Sequence, residues 1–219
     1  MKVDLHVHTY WSKDSLARPE QLLAWMHRRN VDVIAVTDHN EIEGAREMAR
    51  LAPGAVIIGE EICTEEGEII GLFLDEFIPS GLSPEQTVAI IHAQGGLAYV
   101  PHPVDLVRGS TITPDALLRV LPQVDLLEVY NARVVWPGRN RQARQLAEAH
   151  GLPMGAGSDA HRAQDVGLAY VDTPRFDDAA SFLAALAQGQ VHGRLIGLCG
   201  RLSATWARLV KGLQRRKGE

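Results

Sequence analysis

The chain has few cysteines, no long apolar runs and no excess of positive charge. Its 219 residues include only two cysteines, Cys63 and Cys199, which lie far apart and show no CxxC spacing. This argues against a disulfide framework and against a thiolate zinc site, so we expect a reducing, cytoplasmic compartment. No apolar run approaches membrane-spanning length, and the first residues lack the apolar stretch of a secretion signal. We therefore expect no membrane association.

The charge balance narrows the choice of partner. The formal net charge is −5 at pH 7. Binding to long nucleic acids is driven by Lys and Arg side chains that neutralise phosphates, so a long nucleic-acid partner is not expected. A small anionic substrate would instead need a local cluster of cations. Hydrophobic residues make up 46% of the chain, which is ample for a large core in one domain.

Short β-rich runs alternate with amphipathic helical stretches, as is typical of βα units around a largely parallel sheet. The predicted strands cover residues 3–7, 31–37, 55–62, 69–74, 97–100, 126–130, 154–157 and 168–171. The predicted helices cover residues 19–29, 41–51, a segment that begins at 83, 114–120, 140–150, 177–186 and 202–217. The polar turn at 65–67 would place the third and fourth strands side by side. Neither a linker nor a repeat interrupts the pattern, so one domain over residues 1–219 is predicted.

The last predicted helix carries an apolar stripe and a basic end. The apolar residues at helical spacing are Leu202, Trp206, Leu209, Val210 and Leu213, and the cations of the final turns are Lys211, Arg215, Arg216 and Lys217. Cations suit the carboxyl end of a helix because of its dipole. Since an apolar stripe needs a surface to bury it, residues 202–217 are predicted to form a packing helix with a basic tail. A nucleic-acid-binding arm is the less favoured interpretation.

Side chains that bind metals stand at the ends of five predicted strands. They are His6 with His8, Asp38 with His39, Glu61, His102, and Asp159 with His161. In a parallel barrel all strand ends of one kind meet at the same rim, so these side chains would converge. A single His beside an apolar run is more often a hydrogen-bonded structural residue, but five coincidences favour a metal site. Imidazole and carboxylate without thiolate favour zinc, manganese or iron over calcium.

The same strings, taken in order, resemble the polymerase and histidinol phosphatase (PHP) family of metal-dependent phosphoesterases. The matching motifs are DLHVHT at 4–9, TDH at 37–39, GEE at 59–61, PHP at 101–103 and SDAH at 158–161. The chain is most similar to small stand-alone members, which are thought to act on nucleotides or short oligonucleotides. The resemblance implies a distorted (β/α)7 TIM-like barrel with two or three divalent metal ions, manganese, iron or zinc, at its carboxyl rim.

The resemblance also implies a set of metal ligands. They are His6, His8, Asp14, His39, Glu61, Glu68, His102, Asp159 and His161. Glu68 departs from the family pattern, because many relatives have His at this position. A carboxylate there would favour manganese or iron over zinc, since it prefers harder ions. The competing interpretation of Glu68, a solvated turn residue, is equally weighted.

The implied ligands divide into sites. His6, His8 and Asp159 would hold a first ion. Glu61 would bridge this ion to a second one, which His102 would also bind. A hydroxide bound to the metal and held by Glu61, His8 and Asp159 would then be the nucleophile.

A third site and a supporting shell complete the implied arrangement. Asp14, His39 and His161 would form the third site. Asp38 is predicted to orient a metal-bound imidazole through a hydrogen bond, a role that such ligands commonly need filled. Asp4 is predicted to act in the same way.

Another strand end, after residues 126–130, carries Asn131 and Arg133 towards the same rim. A guanidinium group matches phosphate oxygens bidentately, so Arg133 is the preferred phosphate ligand, with Asn131 beside it. Arg108 and Lys13 are weaker candidates.

These residues together predict a hydrolase that cleaves a phosphate ester of a nucleotide or short oligonucleotide. One alternative is a histidinol-phosphate phosphatase, which an assay of phosphate release from both substrates would separate. An alternative of another class is a non-catalytic metal-bound module that docks onto a polymerase or another partner. The complete set of ligands argues against this alternative.

Overall fold

The computed structural model describes residues 1–197, 200 and 202–217, so Cys199 lies outside the described residues. The strands are β1 Lys2–Val7, β2 Val33–Val36, β3 Val56–Thr64, β4 Gly67–Leu72, β5 Leu97–Val100, β6 Leu126–Asn131, β7 Met154–Gly157, β8 Ala169–Asp172 and β9 Gln190–Gly193. The described helices are α1 Pro19–Arg29, α2 Glu43–Leu51, α3 Pro84–Ala93, α4 Pro114–Val120, α5 Gly138–His150, α6 Ala179–Leu186 and α7 Ser203–Lys217, with a 3-10 turn at Ala163–Asp165. None of the described helices is long and apolar enough to cross a bilayer.

The strands form one curved sheet in the order β7-β6-β5-β4-β3-β2-β1-β8-β9. The segment after β7 returns to β1, where the Asp159 N–H donates to the His6 carbonyl at 2.8 Å and the His8 N–H donates to the Ala160 carbonyl at 3.0 Å. These bonds nearly close the sheet into a barrel, which confirms the predicted distorted TIM-like fold. Their position also brings the DLHVHT and SDAH motifs into direct contact.

The sheet is mixed, which the alternating pattern of the sequence did not predict. Strand β4 runs antiparallel to both β3 and β5, and β8 runs antiparallel to β1 and β9. The predicted pairing of the third and fourth strands is confirmed, but β4 begins at Gly67 and so includes Glu68, opposite Cys63. Glu68 is 3% exposed, which excludes the solvated-turn interpretation.

A shift of register in the β1–β2 pair prepares the metal-binding end of β1. The shift lies between Asp4 and Val7. Before it, Val3 and Leu5 pack into the interior cluster of the barrel, whereas Val7 packs into the layer beneath α1 and α2. Bulges of this kind re-aim side chains beside functional sites. The change of phase leaves His6 and His8 directed into the open end of the barrel, above the apolar interior.

Helix α7 differs from its prediction in the face that it buries. Ala204 and Ala207 are the buried residues of its first turns. Four of the five residues of the predicted stripe, Leu202, Trp206, Leu209 and Leu213, are between 52% and 62% exposed, and Val210 is half-buried. Packing of the helix therefore uses the alanine face instead of the leucine face.

Candidate metal centre

The carboxyl end of the barrel gathers all nine side chains that were predicted as metal ligands. They are His6, His8, Asp14, His39, Glu61, Glu68, His102, Asp159 and His161, hereafter the donor cluster. His39 is the most exposed of these side chains, at 12%. Three groups within the cluster have ligand atoms that all lie within 4.8 Å of one another: His8, His39 and His161; His6, His8 and Glu61; and His39, Glu61 and Glu68. The groups share members, as expected of adjoining sites.

Glu61 lies at the centre of the donor cluster. One of its carboxylate oxygens, Oε2, is 3.4 Å from Nε2 of both His6 and His8, and 3.0 Å from Nδ1 of His39. Its other oxygen, Oε1, is 3.3 Å from Nε2 of His102. A carboxylate whose two oxygens face different sets of imidazoles has the geometry to bridge two cations.

The rings of His6 and His8 are both oriented with Nε2 towards the centre. His6 Nδ1 lies 3.1 Å from the carboxylate of Glu128, and His8 Nδ1 lies 3.1 Å from the Ser12 hydroxyl. Ser12 in turn donates to Asp38, so both Nδ1 atoms are donors and both Nε2 atoms carry lone pairs. The two Nε2 atoms are 3.1 Å apart. Two neutral rings would direct lone pairs at each other across this distance, and a shared metal ion would stabilise that arrangement.

Two other buried imidazoles, His161 and His102, also have Nδ1 beside a hydrogen-bonding partner. His161 Nδ1 donates to the Asp159 carbonyl at 3.0 Å, which leaves Nε2 facing Asp14. His102 Nδ1 lies 3.4 Å from the Thr111 hydroxyl, which itself donates to the Asp105 carbonyl. Metal-bound imidazoles generally have their second nitrogen fixed in this way.

Unpartnered atoms give an independent test of whether the donor cluster fits metal ions. Five buried atoms of the cluster have no hydrogen-bond partner among the described residues: Asp14 Oδ1, His39 Nδ1, Glu61 Oε2, Glu68 Oε2 and Asp159 Oδ1. An unsatisfied buried polar atom costs about 1–3 kcal/mol, so native proteins contain few of them. Divalent cations would satisfy these atoms together. The residues present therefore fit the metal ions that the family implies.

Two carboxylates of the donor cluster, Glu61 and Asp159, are held in the ionised form. Burial alone would raise the pKa of Glu61, but the neighbouring His39 and His6 lower it well below its usual value. Burial is likewise outweighed at Asp159, where Arg108 and His6 lower the pKa. Ionised carboxylates are the form that binds metals.

Burial also shifts the pKa values of two further members of the donor cluster, His8 and Glu68. Burial, followed by the charge of His161, lowers the pKa of His8 to about 3, so this ring is the neutral form that metals require. Burial and the negative charge of Glu61 raise the pKa of Glu68. A cation between the two glutamates would relieve that repulsion.

Two residues of the donor cluster have strained backbones. His102 has φ of 33° and Asp159 has φ of 52°, in the left-handed region that non-glycine residues rarely adopt. Both are fixed by short hydrogen bonds, from the His102 N–H to Glu128 at 2.7 Å and from the Asp159 N–H to the His6 carbonyl at 2.8 Å. Strain of this kind concentrates at functional sites, where surrounding contacts over-determine the conformation.

Asp38 and Asp4 were both predicted to orient an imidazole, but only Asp38 reaches an imidazole through its hydrogen bonds, whereas Asp4 accepts bonds from backbone N–H groups. Asp38 accepts hydrogen bonds from the Thr9 hydroxyl at 2.6 Å and the Ser12 hydroxyl at 2.7 Å, and through Ser12 it reaches His8. Asp4 accepts bonds from the backbone N–H groups of Ser158, at 2.8 Å, and His6, at 3.3 Å. Burial raises the pKa of Asp4 to about 6.

Glu128 is a functional residue that the sequence reasoning missed. Besides His6 Nδ1, its carboxylate accepts bonds from the His102 N–H at 2.7 Å and from Asn131 Nδ2 at 2.9 Å. It therefore orients ligands from two separate strand ends. Glu128 lies within β6 and not at its end, so the strand-end rule passed over it. The available signal was an acidic residue inside an apolar strand.

A cavity of about 650 Å³ adjoins the donor cluster, and three arginines line it: Arg108, Arg133 and Arg208. Arg133, the predicted phosphate ligand, thus borders the cavity. Arg108 was a weaker candidate, yet its Nη1 lies 2.5 Å from Asp159 Oδ2. Lys13 also lines the cavity.

Asn131 is placed differently from its prediction as a phosphate ligand. It has no exposed surface, and its Nδ2 donates to Glu128 and, at 3.1 Å, to Asp159. Its Oδ1 accepts the Arg133 N–H at 2.8 Å. With these bonds made inside the protein, Asn131 supports the ligands and does not face the cavity.

Comparisons with known proteins agree with this geometry. Residues 4–132 match the family model described as the PHP domain, and residues 137–191 match the model described as PHP-associated. Two uncharacterized proteins of Methanocaldococcus jannaschii are 47% identical over 116 residues (47% of this chain, 68% of the relative) and 38% identical over 174 residues (78% and 70%). A two-domain protein of Bacteroides vulgatus, described as containing a predicted PHP-like metal-dependent phosphoesterase, superposes with a TM-score of 0.69 at 20% identity, over 95% of this chain and 69% of that one. The PHP domain model spans more than half of the sequence, and the chain belongs to the PHP domain family.

Proposed function

We propose that the protein is a metal-dependent phosphoesterase that hydrolyses a phosphate ester of a nucleotide or short oligonucleotide. The observation that carries the proposal is the donor cluster itself, whose five buried and unpartnered ligand atoms lie beside an arginine-lined cavity. Membership of the PHP domain family supports the same chemistry. Divalent ions held there would supply the Lewis acidity that activates water for attack on phosphorus.

The protein's own residues would have two roles, metal binding and phosphate binding. Glu61, His8 and Asp159 would hold the ions that flank the attacking oxygen, since their ligand atoms meet at the centre of the cluster. Arg133 and Arg108 would bind the phosphate oxygens, because guanidinium groups match them bidentately. Arg108 already lies against a ligand of the cluster, so a phosphate bound to it would be close to the ions.

The position of Glu68 supports a choice among the candidate ions. Its Oε1 lies 3.4 Å from His39 Nδ1, and its Oε2 lies 3.8 Å from His102 Nε2. A buried carboxylate at these distances is placed to bind the second ion. Since carboxylates favour harder cations, we propose manganese or iron in preference to zinc.

The size and rim of the cavity support a nucleotide as the substrate. Pockets of about 300–1,000 Å³ suit ligands of drug or nucleotide size. Trp136, which is 62% exposed, follows the cavity-lining residue Val135 in the sequence, and aromatic side chains of this kind can stack on a base. A small phosphorylated substrate in the cytoplasm, and not a long nucleic acid, is the partner we propose.

Phosphate release from chemically distinct esters tests the proposal. The metal-stripped protein would be reconstituted with manganese, iron or zinc and given a nucleoside monophosphate, a nucleotide bisphosphate, a short oligonucleotide and histidinol phosphate. Preferred hydrolysis of the nucleotides supports the proposal, and preferred hydrolysis of histidinol phosphate replaces the substrate. His8→Ala serves as the metal-depleted control. A reconstituted protein that hydrolyses none of these esters would favour the non-catalytic module.

A further inference from the structure

Helix α7 lies outside both ranges that match the family models, which end at residue 191. It nevertheless contacts the donor cluster. Arg208, on this helix, borders the same cavity as His39, Glu68 and His161. Its Nη2 donates to Asp14 Oδ2 at 2.9 Å, across 194 positions of sequence.

The two oxygens of Asp14 have different surroundings. Oδ2 accepts the bond from Arg208, whereas Oδ1 lies 3.3 Å from His161 Nε2 and 3.6 Å from His39 Nε2. Oδ1 is also buried and without a hydrogen-bond partner among the described residues. Arg208 thus occupies one oxygen and leaves the other directed at the two imidazoles.

A second contact fixes the loop that carries Asp14. Asp14 belongs to the segment between β1 and α1 and has no regular element of its own to hold it. Lys211, one turn after Arg208, donates from Nζ to the backbone carbonyls of Tyr10 and Ser12. The buried alanine face of α7 brings both cations close to this loop. The helix therefore holds the side chain and the backbone of the same segment.

From these contacts we infer that α7 is part of the metal centre: Arg208 is a positioning residue that orients Asp14 to bind the third ion, and Lys211 anchors the loop that presents it. The inference rests on the proposed metal-binding function. Partners that orient a ligating carboxylate are typically worth 10- to 100-fold in metal affinity. The positive charge of Arg208 would oppose a cation, but its side chain is 60% exposed and its charge is screened by solvent. Orientation should therefore outweigh repulsion.

Titration of the metal-stripped protein with Mn²⁺, followed by calorimetry and by the electron paramagnetic resonance of free Mn²⁺, tests this inference. For Arg208→Gln we expect about tenfold weaker binding at the weakest site and unchanged binding at the others. Arg208→Lys, which retains a donor, should recover part of the affinity. Lys211→Met should weaken the same site by a smaller factor. Leu209→Gln, on the exposed face of the same helix, is the matched control and should bind as the wild type does.

The outcomes separate this inference from the proposed function. If the wild type binds no Mn²⁺, the metal centre itself is wrong. If the wild type binds Mn²⁺ and Arg208→Gln binds it equally well or more tightly, the positioning role alone is wrong, and tighter binding would identify Arg208 as a competitor for Asp14. A higher KM for the phosphate ester with unchanged Mn²⁺ affinity would assign Arg208 to the substrate and would also overturn the inference.

Discussion

Two adjacent glutamates of β3 occupy opposite faces of the barrel wall and have opposite electrostatic surroundings. Glu61 faces the donor cluster, where the pKa is lowered well below its usual value despite burial. Glu60 is equally buried but faces the outer layer, where its Oε2 accepts one bond, from the Ile78 N–H at 2.9 Å. Burial there raises the pKa of Glu60 to about 8. The same side chain is thus kept ionised on one face and protonated at neutral pH on the other.

The comparison shows that partners, and not burial, decide what a buried acid can do. His39 and His6 lower the pKa of Glu61, so its carboxylate remains available as a ligand. Among the described residues no comparable cation adjoins Glu60, so it behaves as a neutral hydrogen-bonding group. Because successive side chains of a strand point to opposite faces, two neighbouring residues can have these two different roles.

Replacing the inner glutamate should have the largest effect. Glu61→Gln removes the charge that faces four imidazoles, and we expect metal content to fall and phosphoester hydrolysis to drop by more than about 100-fold, since even supporting partners of ligands are worth 10- to 100-fold. Elemental analysis and phosphate release measure the two effects. Glu60→Gln is the matched control and should retain both. Equal losses in the two variants would abolish the distinction between the faces.

Replacing Glu128, which is hydrogen-bonded to His6 and His102, should cause a smaller loss of metal affinity and activity. Glu128→Gln offers an amide where His6 Nδ1 and the His102 N–H both need an acceptor. We expect Mn²⁺ affinity and activity to fall by about 10- to 100-fold, with the fold preserved. Calorimetric titration and circular dichroism check the two parts of this statement. Wild-type affinity in the variant would assign Glu128 to structure alone.

Metal removal should lower the Tm of the protein, because the buried carboxylates of the donor cluster then lack their cations. Ligand present at 100 times its dissociation constant stabilises a protein by about 2.7 kcal/mol, which corresponds to roughly 5–10 °C in Tm for a domain of this size. We expect EDTA to lower the Tm of the wild type and of Glu60→Gln by this amount. Glu61→Gln should show little further change, because its cluster no longer holds the ions. Differential scanning calorimetry with and without chelator provides the measurement.

The strand-end donors could be predicted because each follows an apolar run and because parallel strands bring their carboxyl ends together. Glu128 could not, since its role depends on its neighbours across the barrel and not on its place in β6. Strand β9 also escaped prediction: Gln190–Gly193 is a mostly exposed edge strand and shows no apolar alternation.

The positions of Arg108, Asn131 and Arg208 show a further limit of prediction from the sequence. Arg108 and Asn131 both lie near the rim, but only packing decides that the first borders the cavity and the second is sealed beneath it. Arg208 illustrates the same limit at longer range. Its contact with Asp14 depends on the docking of α7 through alanines, whereas the hydrophobic pattern predicted the leucine face. Such tertiary choices reflect shape, which a one-dimensional pattern does not encode.

The outer glutamate should have the smallest effect on metal binding and activity, and its effect on stability should depend on pH. Because the pKa of Glu60 is raised to about 8 in the folded protein, the folded state favours the protonated form. Its stabilising contribution is complete below the unfolded pKa near 4.5 and is lost as the pH rises through about 8. Glu60→Gln keeps an acceptor for the Ile78 N–H but cannot ionise. We therefore expect the variant to lie close to the wild type near pH 5 and to exceed its unfolding free energy by up to about 5 kcal/mol at pH 9. Urea unfolding at the two pH values measures this difference. A constant difference at both would show that Glu60 does not titrate in this range.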